Sequence, residues 1–245
     1  MSELVCVGTS DAFGAGGRRQ SAYLVRAPSG TVLLDCGQTT LTGLSSCDID
    51  RAEIDGIVVS HFHADHFGGI PLFLLGAHYA DQRRAPLRIA GPPGIEARVY
   101  EAADALGHSL RGEKLGFELT FEEMPTGRSF EFGPVTLDAF KTFHSPDAHP
   151  HGVVVRSGNL QLAYSGDTGW FDGLPSQVAG SDLFLCECTQ WKQGFEYHLS
   201  LEELADRRAE FDCGRIVLTH LGAEMRAQED HAGFDVADDN VVIPL

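Results

Sequence analysis

The sequence predicts a layered domain of mixed strands and helices, α/β or α+β in class and continuous over residues 1–245. Three observations carry that expectation. Twelve short apolar runs of strand length recur along the chain, many bounded by Gly, Pro or Asp. Stretches with apolar residues at helical spacing fall between them. A chain of 245 residues with no short repeat, low-complexity tract or obvious linker is long enough to bury one large core.

The strand runs are, in order, ELVCVG, SAYLVRA, TVLLDCG, GIVVSHF, LRIAG, FELTFEEM, VTLDAFKTFH, GVVVRS, LQLAYSGD, DLFLCE, RIVLTHL and NVVIPL. After the fourth, FGGIPLFLLGAH reads as a helix. GIEARVYEAADALGH begins just past Pro92 and Pro93 and sets Ile95, Val99, Ala102 and Leu106 at helical spacing. SLEELADRRAEFDCG opens with Ser200 and Glu203 at capping-box spacing. It aligns Leu201, Leu204, Ala205 and Phe211 on one face and stops at Gly214. The acidic DVADDN, Asp235 to Asn240, is expected to be a solvated loop before the last strand.

Composition excludes several classes. A hydrophobic fraction of 43% with 22% charged residues is ordinary for a globular protein. No apolar run approaches the ~20 residues that cross a bilayer, so no membrane partner is expected. The opening MSELVCVGTSDAFG lacks a basic start followed by a long apolar segment, and a cytoplasmic location is the default expectation. Cys6, Cys36, Cys47, Cys186, Cys188 and Cys213 form no C-x-x-C pair and are expected as reduced, buried or half-buried thiols. The charge balance, 18 − 35 = −17, argues against a protein that grips long nucleic acid, because phosphate contacts need a basic face.

The chemistry concentrates in VVSHFHADHFGG, where His61, His63, Asp65 and His66 fall within six residues just past an apolar strand. Loops after strand ends are where such proteins carry reactive groups. An extended backbone aims His61 and His63 to one side. Imidazole and carboxylate together are ligands for zinc, manganese or iron. Three more ligand-type residues end apolar strands: His144 after VTLDAFKTF, Asp167 after LQLAYSG and His220 after RIVLT. One alone would be an ordinary polar group; all of them together suggest strand ends converging on one site.

These segments resemble the metallo-β-lactamase superfamily. SHFHADH matches its H-x-H-x-D-H signature, and His144, YSGDTG around Asp167 and VLTHLG around His220 follow in the family's order over most of the chain. The resemblance implies an α+β fold, a four-layer αββα sandwich with a two-metal site on one edge. It implies two divalent ions, zinc favoured, with manganese or iron as alternatives. One ion would be held by His61, His63 and His144, the other by Asp65, His66 and His220, with Asp167 between them. In FHSPDAHPHGVVV the third histidine ligand is His144, His149 or His151; His144 is favoured because it ends its strand.

Two further segments resemble the tRNase Z-like branch: GTSDAFGAGGRRQSAYLV, and YHLSLEELADRRAEFDCGRIVLTHL, in which His198 precedes a helix leading to the last metal histidine. The resemblance implies a catalytic His198 that donates a proton or hydrogen bond to a phosphate oxygen or leaving group. It also implies a catalytic Asp65 that orients or deprotonates a water whose pKa the ions bring towards ~7. True tRNase Z inserts a tRNA-gripping arm between the third histidine and the bridging aspartate; here 167 − 144 = 23 positions allow only a hairpin. The expected activity is therefore hydrolysis of a small phosphodiester or nucleotide. A thioester or lactone hydrolase is the alternative chemistry, and a non-catalytic metal-binding protein the alternative class. Glu187 is a candidate to orient an imidazole, Arg18 and Arg19 are candidates to touch substrate, and the same relatives make a homodimer an open expectation.

Overall fold

The computed structural model describes residues 2–245. Fourteen strands form two mixed sheets of seven. The first sheet, in spatial order, is Val242–Pro244 (β14), Glu3–Gly8 (β1), Ala22–Ala27 (β2), Gly30–Leu34 (β3), Gly56–Val58 (β4), Leu87–Gly91 (β5) and Leu119–Glu123 (β6). The second is Asp235–Val236 (β13), Arg215–Thr219 (β12), Leu183–Glu187 (β11), Leu160–Tyr164 (β10), His151–Ser157 (β9), Val135–Lys141 (β8) and Ser129–Phe132 (β7). Each sheet is parallel through one half, β3 to β6 and β10 to β13, and antiparallel through the other.

Strand periodicity builds the layers, because alternate side chains leave opposite faces of a sheet. In β1, Leu4 and Cys6 join a core between the sheets, where they meet Leu137, Val155, Leu162 and Leu185 of the second sheet. Val5 and Val7 face the other way, into a core covered by the helices Ile70–Tyr79 and Ile95–Ala105. In β11, Leu183 and Leu185 point between the sheets, whereas Phe184 and Cys186 pack under Leu174, Leu201 and Leu204. Helices on the outer face of each sheet and apolar residues between the sheets make the αββα sandwich. All six cysteines are free, and Cys186 and Cys188 share the outer core of the second sheet.

Three elements differ from the sequence expectation. The helix expected over SLEELADRRAEFDCG ends at Asp206, so Ala205 is exposed and Phe211 follows a separate 3-10 turn, Arg208–Glu210, instead of lying on the helix face. Ser129–Phe132 is an edge strand of four residues, too short for its alternation to stand out from the Gly133-Pro134 turn that follows. The segment DVADDN is not a solvated loop. It begins with β13, and its carboxylates bind arginines of the glycine-rich N-terminal loop. Asp238 pairs with Arg18, and Asp239 accepts from the Arg19 backbone N–H at 2.9 Å. Charge there is spent on tertiary contacts, which local composition cannot reveal.

Several strands also stop short of the apolar runs that announced them. TVLLDCG pairs only to Leu34 and RIVLTHL only to Thr219. The next residues, Asp35 and His220, have left-handed backbones with φ of 59° and 55°, which end the extended conformation. The chain therefore turns where the polar residue begins, and β3, β4, β8, β10, β11 and β12 deliver their functional side chains to one edge of the sandwich.

Candidate metal centre

Two groups of ligand-type side chains meet at that edge: His61, His63, His144 and Asp167, and then Asp65, His66, Asp167 and His220. Within each group the ligand atoms lie within 4.8 Å of one another. Local folding explains the first four residues. His63 is the extended N-cap of the short helix Ala64–Phe67, so His61 and His63 project before the turn and Asp65 and His66 from its first turn. Phe67 then enters the core and anchors the helix.

Asp167 joins the groups. Its Oδ2 lies 3.6 Å from His61 Nε2 and 3.7 Å from His144 Nε2. Its Oδ1 lies 3.2 Å from His66 Nε2 and 3.5 Å from His220 Nε2. Asp167 is buried, and no hydrogen bond closes on Oδ1. Around it, nitrogens crowd one another: His144 Nε2 and His63 Nδ1 at 3.1 Å, His66 Nε2 and His220 Nε2 at 3.3 Å. Such facing lone pairs and an unsatisfied carboxylate oxygen are costly when buried and fit divalent cations.

Four of the five imidazoles are held from behind; His63 instead turns its Nδ1 into the cluster. His66 Nδ1 donates to Asp35 Oδ2 at 2.7 Å, His144 Nδ1 to the Tyr197 carbonyl at 2.9 Å, His61 Nδ1 to Ser60 Oγ at 3.0 Å and His220 Nδ1 to Thr189 Oγ1 at 2.9 Å. These bonds leave the four Nε2 atoms directed at the cluster, the arrangement that orients metal-binding histidines. Asp35 is the hub. It also accepts from Ser60 N at 2.7 Å, Ser60 Oγ at 2.8 Å and Tyr164 OH at 2.6 Å. Sequence reading missed Asp35, Tyr164 and Thr189; the available signal for Asp35 was a carboxylate ending the buried run TVLLDCG. Asp35→Asn retains a residue type that tolerates positive φ but converts an acceptor oxygen into a donor nitrogen. It is expected to weaken zinc affinity by about 10–100-fold, read by competition with a chelating dye.

Electrostatics divides the imidazoles. Burial, with neighbouring histidines adding to it, lowers the pKa of His61, His63 and His144, leaving the neutral form a metal requires. Burial opposes charge on His66 and His220 as well, but the carboxylates of Asp167 and Asp65 reverse it and raise both. A cation binding at those nitrogens displaces protons, so its affinity rises with pH. Burial would raise Asp65, yet His66 and His220 beside it hold its carboxyl below the usual carboxylate range.

The cluster forms the floor of a cavity of about 540 Å³ lined by Phe13, Asp65, Thr189, Phe195, Tyr197 and His198 among others. His198 Nδ1 lies 2.7 Å from Glu187 Oε1. Burial lowers its pKa, but the Glu187 carboxylate more than compensates and holds it up at about 9. Glu187 in turn accepts from Thr168 N at 3.0 Å and Thr189 Oγ1 at 3.0 Å, so it ties β11 to both the Asp167 and His220 loops. Gly169 sets the height of the His198 segment: a Cβ there would stand 1.7 Å from the Glu196 carbonyl oxygen. Gly169→Ala is expected to cost roughly 1–3 kcal/mol in thermal unfolding and to depress turnover by displacing His198.

Other candidates fall outside the cluster. His149 is exposed, and His151 is buried with Nδ1 bonded to the His149 carbonyl at 2.8 Å; both line a cavity of about 480 Å³ that adjoins the site at His144 and Tyr197. Arg18 and Arg19 are engaged by Asp238, Asp239 and Asn240 and brace the glycine-rich loop from behind.

The family described as "Anti-Pycsar protein Apyc1" matches residues 2–237. The chain belongs to this family. A ribonuclease Z of Mycobacterium bovis (strain BCG / Pasteur 1173P2) is 26% identical over 241 residues, which cover 90% of this chain and 86% of the relative. Among solved structures, the metallo-β-lactamase fold protein YhfI from Bacillus subtilis superposes with TM-score 0.81 at 20% identity, covering 100% of both chains. A diphosphatase from the PhnP family superposes with TM-score 0.79 at 15% identity, covering 100% of this chain and 98% of the other. The Apyc1-family chain thus has the metallo-β-lactamase fold, and its relatives and structural neighbours include hydrolases. Among the described residues, no helix is long and apolar enough to cross a membrane.

Proposed function

We propose that this protein is a two-metal phosphodiesterase acting on a small phosphodiester or nucleotide. The observation that carries the reading is Asp167, whose two oxygens face two separate histidine groups at 3.2 to 3.7 Å. His61, His63 and His144 would hold one ion, Asp65, His66 and His220 the other, and Asp167 would bridge. Zinc is the favoured metal for this nitrogen-rich donor set. Bound there, the ions would supply Lewis acidity and an activated water.

The chain's own residues supply the rest. Asp65 lines the cavity as an ionised carboxylate, able to orient a water and accept its proton. His198 carries its proton through neutral pH because of Glu187, and with Nδ1 engaged it has Nε2–H left to donate to a phosphoryl or leaving-group oxygen. A group that gives up a proton to a departing alkoxide favours an oxygen ester, such as a phosphodiester, over a thioester, whose thiolate leaves without one. Size favours a small substrate: β9 and β10 form a simple hairpin where an arm for a folded RNA would stand, and the net charge is −17.

The test is hydrolysis of bis(p-nitrophenyl) phosphate by protein loaded with zinc or manganese, run beside a thioester and a lactone. Elemental analysis is expected to find two ions per chain. A fully loaded protein that cleaves the thioester or lactone but not the phosphodiester would overturn the reading, and one that cleaves none would make it a binding protein.

A further inference from the structure

The cavity of about 480 Å³ that holds His149 and His151 shares only His144 and Tyr197 with the one over the metal-type cluster. Its charge sets it apart from the rest of the molecule. The chain carries 35 Asp and Glu and a net charge of −17. Among the described residues, this cavity is lined by no carboxylate and by one Lys or Arg, Lys141. Met124, Phe143 and Tyr197 give it apolar walls, with the Phe143 and Tyr197 ring centroids 5.4 Å apart.

Strand register places the polar groups. Lys141 ends β8 and His151 begins β9, and the two are direct partners across the antiparallel ladder, so their side chains leave the same face of the sheet. Lys141 is exposed, whereas His151 is only 5% exposed. His151 Nδ1 donates to the His149 carbonyl at 2.8 Å, and among the described residues nothing bonds to Nε2. Burial lowers the pKa of this imidazole and keeps it neutral. With the proton on Nδ1, Nε2 presents a bare lone pair on the cavity wall. A buried acceptor without a donor is costly until a ligand supplies one.

The backbone is bent to hold that nitrogen in place. His149 has φ 52° and ψ 57°, a left-handed conformation at a residue that is not glycine and stands directly before Pro150. Such conformations persist where their surroundings enforce them, and ligand clamps are among the places that use them. Here the His149 N–H donates to the Pro146 carbonyl at 3.0 Å and the Phe62 N–H to the Ala148 carbonyl at 2.9 Å. The bend turns the His149 carbonyl onto His151 Nδ1, which leaves Nε2 for the cavity.

We propose that this cavity is a binding site for a hydroxylated aromatic acid, with its ring against Phe143 and Tyr197, its hydroxyl donating to His151 Nε2 and its carboxylate beside Lys141. The aromatic walls suit a flat ring. The lone pair calls for a donor, and a lone cation with no carboxylate on the same lining calls for an anion. Binding there is separate from the reaction at the cluster and is read without turnover.

Calorimetry on zinc-loaded protein with 4-hydroxybenzoate, benzoate and methyl 4-hydroxybenzoate tests the site. The first is expected to bind about three- to tenfold more tightly than benzoate, the worth of one hydrogen bond. It should bind about two- to fivefold more tightly than the methyl ester, the worth of an exposed charge pair. His151→Phe should abolish the first difference and keep the second. Lys141→Met, at an exposed position, should do the reverse. The ranking of the three ligands by wild type needs no substitution, so a variant that fails to fold does not hide the result. Carboxylates also ligate zinc, so the ranking is repeated after a chelator has stripped the ions and is expected to stand. Affinity that disappears with the zinc would place the acid on the ions and overturn the site. Absence of binding, equal affinity for the three ligands, or differences that both variants retain would overturn it as well.

Discussion

Asp167→Ala is expected to leave fewer than one tightly bound ion per chain and to lower turnover by at least about 10³-fold, beyond the ~10–100-fold that loss of an outer partner typically costs. The reason is geometric. Asp167 is the one residue common to both ligand groups, and each of its oxygens serves a different one. Removing it takes two contacts from the site and the negative charge that would offset two cations in a buried place. Asp167→Asn keeps the volume and one acceptor, so it separates charge from shape: partial retention of metal with lost turnover is expected. Elemental analysis of both variants, with thermal unfolding as a control for folding, reads the outcome. Two ions retained by the alanine variant would show that the ions lie elsewhere or do not share this carboxylate.

The second large effect concerns the His198–Glu187 pair. His198→Gln is expected to reduce kcat by about 10²–10⁴-fold, the usual worth of a positioned general acid, while metal content stays at two ions. Glu187→Gln should act through pH. Burial lowers His198, and the Glu187 carboxylate above all, with Asp167 adding to it, lifts it to about 9. Without that carboxylate the imidazole loses its proton at lower pH, so the alkaline limb of the kcat profile should move towards acid. Stability follows the same sign. A histidine raised from an ordinary ~6.5 to about 9 stabilises the fold fully below the lower value, and that contribution is lost as pH rises through the upper one. Glu187→Gln should therefore flatten the stability profile between those pH values. A kcat profile whose alkaline limb does not move in Glu187→Gln would remove His198 from the role of proton donor.

Much of this arrangement was legible in the chain. The layered fold was readable because strand alternation and helical spacing are local patterns, as in ELVCVG, DLFLCE and GIEARVYEAADALGH. The ligand candidates were readable because each followed an apolar run, and strands in layered folds end at common edges. The choice among His144, His149 and His151 was not. They lie within eight positions, and only the path of the chain after β8 sends His144 to the cluster and leaves His149 and His151 on the adjoining cavity. Nor were Asp35 and Thr189, because their work depends on partners 31 residues away in each case. The arginines of the glycine-rich loop were open to a substrate role until the fold brought Asp238 and Asp239 behind them.

By itself, the sequence determined the layers and the set of chemically competent residues, because periodicity and residue type act within a few positions of the chain. Only the tertiary structure decided which nitrogen of each imidazole faces inward, which carboxylate spans the two groups, and which charges brace the loop. Those are questions of distance and direction between segments far apart along the polymer, and they are answered when the two sheets close on each other.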